Sequence, residues 1–223
     1  AEVIPAGWRD RVLFAGVRGE VWFPPGVTRE GIARHAVALY GPDPRAHGLA
    51  PGVAVVLGAG NVAAIGALDV VHKLFAEGQA AVLKFNPVNA YLGPFFEDAF
   101  GELVRDGYAA AAYGGADVGA YLVEHPRVAS VHITGSRHTH DAIVWGTDVD
   151  AEKRRAAGTP LLTKPITSEL GGVGPAIIVP EDGWSSENVD DVARDVVTQR
   201  LHNSGFNCVA TQVVVIPEAW QRA

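Results

Sequence analysis

The sequence predicts an α/β fold: a mostly parallel sheet with helices on both faces, followed by the start of a second α/β unit. Three observations carry this. From Gly52 onward, apolar runs of about six residues alternate with helix-spaced runs of about 10 to 15, the texture of βαβ units. Small or polar residues (Asn61, Lys84, Gly115, Gly135-Ser136) fall at or just after the ends of those apolar runs. The composition is 48% hydrophobic and 19% charged over 223 residues, enough to bury the core of one large domain, or of one domain plus part of another.

Taken in order, residues 1–27 alternate apolar Val12, Phe14, Val17, Val21 and Phe23 around Gly16 and Gly19, which predicts a two-stranded hairpin. Thr28 to Tyr40 predicts a short helix, then a Pro/Gly/His-rich loop. Val53–Leu57 is a strand and Gly58–Asn61 a turn. Ala64–Glu77 has helical spacing, Ala80–Phe85 reads as a strand and Tyr91–Asp106 as a helix. Tyr108–Tyr113 is a strand, Ala116–Glu124 a helix and Val128–Ile133 a strand ending at Thr134-Gly135-Ser136. A short helix follows over His138–Val144, and then a charged, poorly periodic stretch over 147–158 that reads as a solvated excursion holding Arg154-Arg155. Leu161–Ser168 is extended, Glu169–Gly172 a turn, Ala176–Val179 a buried strand, Ser185–Leu201 a helix and Gln212–Ile216 a strand. Three parts follow: residues 1–50, 51–170 and 171–223.

Bulk charge narrows the function classes. A net charge of -7 and a pI near 5.6 exclude a basic nucleic-acid surface. Apolar runs are all shorter than the roughly 18 to 20 residues of a membrane span. One cysteine precludes an internal disulfide and predicts a reducing, cytoplasmic setting. Methionine is absent even at position 1, so the sequence is expected to be a processed or partial form of a longer product.

The single cysteine, Cys208, sits where the helix Ser185–Leu201 gives way to a strand, within Asn203-Ser204-Gly205-Phe206-Asn207-Cys208. Connecting backbone is where catalytic groups concentrate, and a thiolate is a strong nucleophile. A lone cysteine is equally a small buried apolar residue. Glu169, before two glycines, suits a general base or a plain surface glutamate. Asn61, at a strand's carboxyl end, can donate to an oxygen gaining charge, or simply make a turn. Lys84 is a donor to a sugar or phosphate, or a snorkelling edge lysine. Gly135-Ser136 offers backbone N–H groups at a helix start. Gly115-x-x-x-Gly119 allows close approach of a helix to a ligand or to the sheet. His138 and His140 lack a placed third ligand, so no metal site is expected.

In this order, Leu57-Gly58-Ala59-Gly60-Asn61, Val82-Leu83-Lys84, Gly115-x-x-x-Gly119, Ile133-Thr134-Gly135-Ser136, Glu169-Leu170-Gly171-Gly172 and Asn203-x-Gly205-x-x-Cys208 resemble the aldehyde dehydrogenase superfamily. The resemblance implies a Rossmann-like domain over 51–170 that binds NAD or NADP, with 171–223 beginning a catalytic domain. It implies oxidation of a small-molecule aldehyde to a carboxylic acid. Cys208 would attack the carbonyl, Asn61 and the Cys208 N–H would hold the oxyanion, and Glu169 would activate water. Lys84, Gly115, Gly119, Gly135, Ser136, Leu170 and Gly171 would line the cofactor. The predicted hairpin over 11–23 resembles the family's oligomer-forming strands, which implies a homo-oligomer.

The sequence departs from the family's pattern at Pro87, where many relatives carry a glutamate that helps select NAD, and at Gly60, where a tryptophan is common. The segment between Ser136 and Glu169 is longer than usual. Two other readings stand beside the dehydrogenase. One is a truncated nucleotide-binding module without turnover. The other is an acyl-CoA-forming or fatty-acyl-reducing relative, against which Glu169 argues.

Overall fold

The structure, a computed structural model, describes residues 2–28, 30–31, 52–179 and 184–218. The chain divides into two compact units, residues 1–50 with 76–78, and residues 51–75 with 79–223.

In the first unit, β1 (Glu2–Ile4) pairs antiparallel with β2 (Gly19–Glu20), and α1 (Trp8–Leu13) lies between them in sequence. The hairpin expected over residues 11–23 does not form. Trp8 and Val12 are one helical turn apart, and the Asp10 carboxylate accepts the Ala6 N–H at 2.7 Å, which closes the first turn. Over so short a run, an alternating pattern and a helical one share most of their positions. The helix expected over Thr28–Tyr40 and the loop after it lie almost wholly outside the described residues.

The second unit is built on five parallel strands in the order β5-β4-β3-β6-β7. They are β3 (Val53–Leu57), β4 (Ala80–Lys84), β5 (Ala109–Ala112), β6 (Val128–Gly135) and β7 (Ile166–Leu170). α2 (Ile65–Phe75) joins β3 to β4. A 3-10 turn (Pro87–Leu92), α3 (Gly93–Ala99) and α4 (Gly101–Arg105) join β4 to β5. The single helix expected over 91–106 is broken because Gly93-Pro94 and Gly101 interrupt it. α5 (Ala116–Glu124) crosses from β5 back to β6.

Helices cover both faces, as the continuous apolar runs of a parallel sheet require. On one face Val56, Leu83, Phe85 and Ala109 pack with Val70 of α2 and Phe96 of α3. On the other, Val55 and Val131 pack with Val123 of α5 and with Ile143 of α6 (Arg137–Trp145). Val55 and Val56 have no exposed surface and Leu83 keeps 1%. Burying each such side chain contributes about 1.5–3 kcal/mol.

The charged stretch after α6 is not a solvated excursion. It folds as α7 (Ala151–Ala157), closed by Gly158 in the left-handed region at φ 65. Arg154 Nη2 reaches both Asp148 oxygens at 2.7 Å, and its Nε donates to the Trp145 carbonyl, also at 2.7 Å. Charge-assisted hydrogen bonding of Arg154, not apolar period, marks this helix.

After β7 the chain forms β8 (Gly174–Ile177), α8 (Ser186–Leu201), a 3-10 turn (His202–Gly205) and β9 (Thr211–Val215). β8 and β9 pair in parallel as a separate two-stranded sheet. α8 opens on a capping box between Ser185 and Asn188, the Ser-x-x start signal the sequence carries. Among the described helices, none is long and apolar enough to cross a membrane.

Candidate active site

Strands leave β3 in opposite directions: β4 and β5 lie on one side, β6 and β7 on the other. That makes the carboxyl ends of β3 and β6 a topological switch point, where ligands of open parallel sheets sit. The turn Gly58–Asn61 follows β3 and Ser136 follows β6 at this edge.

Each predicted cofactor residue has a definite place. Lys84 closes β4, its Cα registered with Leu57 and Ala112. It is buried, and loss of hydration pushes its ammonium below the usual lysine range, with Asp117 at the start of α5 opposing the shift. Gly115 is the N-cap of α5 and is exposed; a Cβ there would meet Asp117 Oδ1 at 2.9 Å. Gly119 is buried, yet an added Cβ would touch only Leu57 at 3.9 Å, so the sheet does not itself demand glycine there. Gly135 and Ser136 are exposed. The Ser136 hydroxyl accepts the Thr139 N–H at 3.1 Å, so it caps α6. The remaining first-turn N–H groups of α6 have no partner within the helix.

Leu170 pairs with Gly135 inside β7, and Gly171 follows it with open space where a Cβ would stand. The turn expected at Glu169 therefore begins later. Glu169 and Leu170 belong to the strand, and only residues 171–173 connect β7 to β8. Lys84, the start of α5 and the start of α6 thus offer an ammonium and backbone N–H donors along one edge, a donor set that fits a sugar and a pyrophosphate.

The departure at Gly60 has a steric cause. A Cβ there would lie 2.8 Å from Asn86 Nδ2 and 2.9 Å from its Cγ. Asn86, two residues after Lys84, occupies the space that a larger side chain at position 60 would take. Its Oδ1 accepts the Val88 N–H and caps the turn that Pro87 opens. Asn89 completes the support, donating to the Ala59 carbonyl at 2.9 Å.

The three predicted catalytic residues come from distant segments. Asn61 and the cysteine loop are joined directly: Asn61 Nδ2 donates to the Phe206 carbonyl at 2.8 Å, and Asn203 Nδ2 donates to the Asn61 carbonyl at 2.9 Å. Asn203 Nδ2 also reaches Asn207 Oδ1 at 3.3 Å, and the Asn207 amide lies 2.6 Å from His202 Nδ1. Asn203 at φ 51, Ser204 at φ 54 and Gly205 at φ 79 are three left-handed residues in a row. Each non-glycine residue so placed costs about 1–2 kcal/mol. The asparagine hydrogen bonds offset that cost and fix the loop. A Cβ on Gly205 would also crowd the Arg200 carbonyl oxygen at 3.1 Å.

Cys208 is exposed at the end of this loop. The segment after Glu169 passes near its backbone. Gln212 Nε2 donates to the Gly172 carbonyl at 3.2 Å, and a Cβ on Gly172 would stand 4.0 Å from the Cys208 carbonyl oxygen. Glu169 itself is exposed, on the same face of the sheet as α2, and its Cα pairs with Thr134. The cysteine loop is thus tied to Asn61, and the strand connection that follows Glu169 is tied to β9 just beyond it.

Sequence reading did not assign a role to Asn203. Its signal was an asparagine two residues before a glycine in a non-periodic stretch, the residue type that tolerates left-handed backbone. Of the two isolated histidines, His140 Nδ1 sits 3.0 Å from Asp141 Oδ1. Among the described residues, no three His, Cys, Asp or Glu side chains are grouped as metal ligands. A groove of about 300 Å³ lies between α8 and β9. Its walls are Val196, Val197, Leu201 and Val214 with the polar Arg200, Thr211 and Gln212.

Comparison with known proteins bears on the family. The chain is 26% identical over 216 residues to coniferyl aldehyde dehydrogenase from Pseudomonas sp. (strain HR199 / DSM 7063), covering 94% of this chain and 41% of that protein. Its fold is similar to that of an aldehyde dehydrogenase from Mycobacterium tuberculosis complexed with NAD+, at TM-score 0.59 and 22% identity, over 76% of this chain and 32% of the other. It is also similar to succinic semialdehyde dehydrogenase from Streptococcus pyogenes in complex with NADP+, at TM-score 0.54 and 22% identity, over 77% and 34%. The chain therefore spans well under half the length of these relatives. The family model for the aldehyde dehydrogenase family matches residues 47–222, from before β3 to beyond the cysteine strand, and the chain belongs to that family.

Proposed function

We propose that the chain carries the cofactor edge and the nucleophile of an NAD(P)-dependent aldehyde dehydrogenase that oxidises a small-molecule aldehyde to a carboxylic acid. In this reading residues 51–170 bind the dinucleotide and residues 171–223 begin the catalytic part. The observation that carries it is the pair of hydrogen bonds tying Asn61 to the loop that bears Cys208, at 2.8 and 2.9 Å.

The roles follow from the chemistry each group can do. The Cys208 thiolate adds to the aldehyde carbon. The second N–H of the Asn61 amide, with the Cys208 backbone N–H, donates to the resulting oxyanion; one such donor supplies about 3 kcal/mol. Lys84, Gly115, Gly119, Gly135, Ser136, Leu170 and Gly171 would hold NAD or NADP, which would supply the hydride acceptor; loss of hydride from the Cys208 adduct leaves a thioester on that sulfur. Glu169 takes a proton from water as a general base. Coniferyl aldehyde dehydrogenase and the NAD+- and NADP+-bound relatives support the substrate class and the cofactor pair. A cytoplasmic location and association into a homo-oligomer complete the proposal. The second rests on the family resemblance alone, since the predicted hairpin is absent.

A second reading, a nucleotide-binding module without turnover, is favoured by the exposure of Cys208 and of its neighbours Phe206 and Val209, at 70% and 78%. Steady-state formation of reduced cofactor from propanal, hexanal and benzaldehyde, with NAD and NADP in turn, separates the two. Turnover that Cys208→Ala abolishes supports the enzyme. Cofactor binding by tryptophan fluorescence without turnover supports the module, and turnover unchanged in Cys208→Ala contradicts the mechanism.

A further inference from the structure

The α2 face of the sheet carries a chain of polar side chains that the proposed reaction does not use. β6 puts Ser130, His132 and Thr134 on that face, at period two within an otherwise apolar strand. Thr134 Oγ1 donates to Asp69 Oδ2 at 3.0 Å. A hydroxyl has one proton, so the 3.2 Å contact between His132 Nε2 and Thr134 Oγ1 needs the ring to donate. The other ring nitrogen, Nδ1, is 2.8 Å from Thr167 Oγ1. Lys73 Nζ in turn donates to Thr167 Oγ1 at 3.5 Å. With the ring neutral, every donor runs one way, from the Lys73 ammonium through Thr167, His132 and Thr134 to the Asp69 carboxylate. The two charged ends lie one turn apart on α2. The side chains of His132 and Asp69 are only 13% and 19% exposed.

What this chain spans is the β6–β7 pairing. His132 is registered with Thr167, and the next pair on the same face is Thr134 with Glu169. Among the described residues, β7 pairs with no strand but β6. A slip of one residue would turn Glu169 to the opposite face. We propose that His132 is a positioning residue for Glu169: by bridging Thr134 and Thr167 it locks the register and face of β7. This rests on the reading of Glu169 as the general base. In that step the water oxygen bonds to the thioester carbon and one water proton passes to the Glu169 carboxylate. The C–S bond then breaks and the sulfur leaves as the Cys208 thiolate. His132 forms none of these bonds.

The test uses His132→Ala and, should that variant not fold, Thr167→Val, which keeps the imidazole but removes its Nδ1 partner together with the acceptor of Lys73 Nζ. Amide hydrogen exchange over 166–170 is expected to rise about tenfold, the effect of losing one or two net hydrogen bonds, with β3 and β4 unchanged. Stopped-flow with propanal or benzaldehyde and NAD or NADP is expected to show the first equivalent of reduced cofactor forming at the original rate. The steady-state rate should fall about tenfold, because only hydrolysis is impaired. Unchanged exchange over β7 would overturn the clamp. First-turnover and steady-state rates falling together would overturn its assignment to Glu169. An Nδ1–H tautomer for His132 by ¹⁵N NMR would contradict the donor order. If the unsubstituted chain forms no reduced cofactor, the proposed reaction fails and the exchange result alone decides the clamp.

Discussion

The five-stranded sheet and the segment that carries Cys208 are stabilised in different ways. Between β3 and β7 apolar side chains are buried on both faces, several to below 2% exposure. In α8, β8 and β9 the balance reverses. α8 buries none of its residues, and Val213, Val214 and Val215 of a parallel strand remain 44–48% exposed. A two-stranded sheet is marginal alone, and parallel strands are ordinarily covered on both faces. The cysteine segment is therefore located by directional contacts to the sheet edge. The sheet supplies rigidity; the asparagine hydrogen bonds pass it on to the loop that bears Cys208.

Three substitutions sharpen or break this contrast. Leu83→Ala removes a core side chain against which Gly58 and Gly66 also pack. It should destabilise by about 2–5 kcal/mol in urea unfolding, whereas Val214→Ala should cost under about 1 kcal/mol. Equal costs would erase the distinction. Asn61→Ala cuts the tie between the regions and removes the proposed oxyanion donor. Turnover should fall about 10²–10³-fold, and hydrogen exchange over 203–208 should rise with β3 unaffected. Loss of turnover with an unchanged loop would show that the clasp contributes nothing to placement.

The smallest effect concerns α6 and α7. The His140 hydrogen bond, then Arg155 and Arg137, hold Asp141 below the ordinary carboxylate range; the Arg154 fork and the Asp150 N–H do the same for Asp148. Both groups bind protons more weakly folded than unfolded. Their contribution is present above the unfolded-state value and is lost as pH falls through the lower folded-state value. In Asp141→Asn the melting temperature should depend less steeply on pH below about pH 4. An unaltered slope would place the ion pairs among contacts that contribute nothing measurable.

The sheet was legible because apolar runs of strand length between helix-spaced runs admit few other arrangements. Strand ends then fixed which of Asn61, Lys84, Gly115 and Gly135 share an edge. What was not legible depended on contacts remote in sequence or on polar specificity. α7 is made by Arg154 gripping Asp148 and the Trp145 carbonyl, which no apolar period announces. The hairpin expected at 11–23 gave way to a helix closed by one aspartate. Asn203 finds Asn61 across 142 residues of chain, and His132 reaches Thr167 only through strand register. Ser130, His132 and Thr134 alternate along a run read only as a strand, and nothing in that run showed what they would meet.

The central claim is that Asn61, Glu169 and Cys208 act on one thioester beside a bound dinucleotide. Glu169→Gln incubated with NAD or NADP and benzaldehyde or hexanal, followed by peptide mass spectrometry, addresses it most directly. The acyl group should accumulate on the peptide containing Cys208 while it clears from the unsubstituted chain. An acyl group that clears equally fast from both, or that sits on any other residue, would contradict the claim.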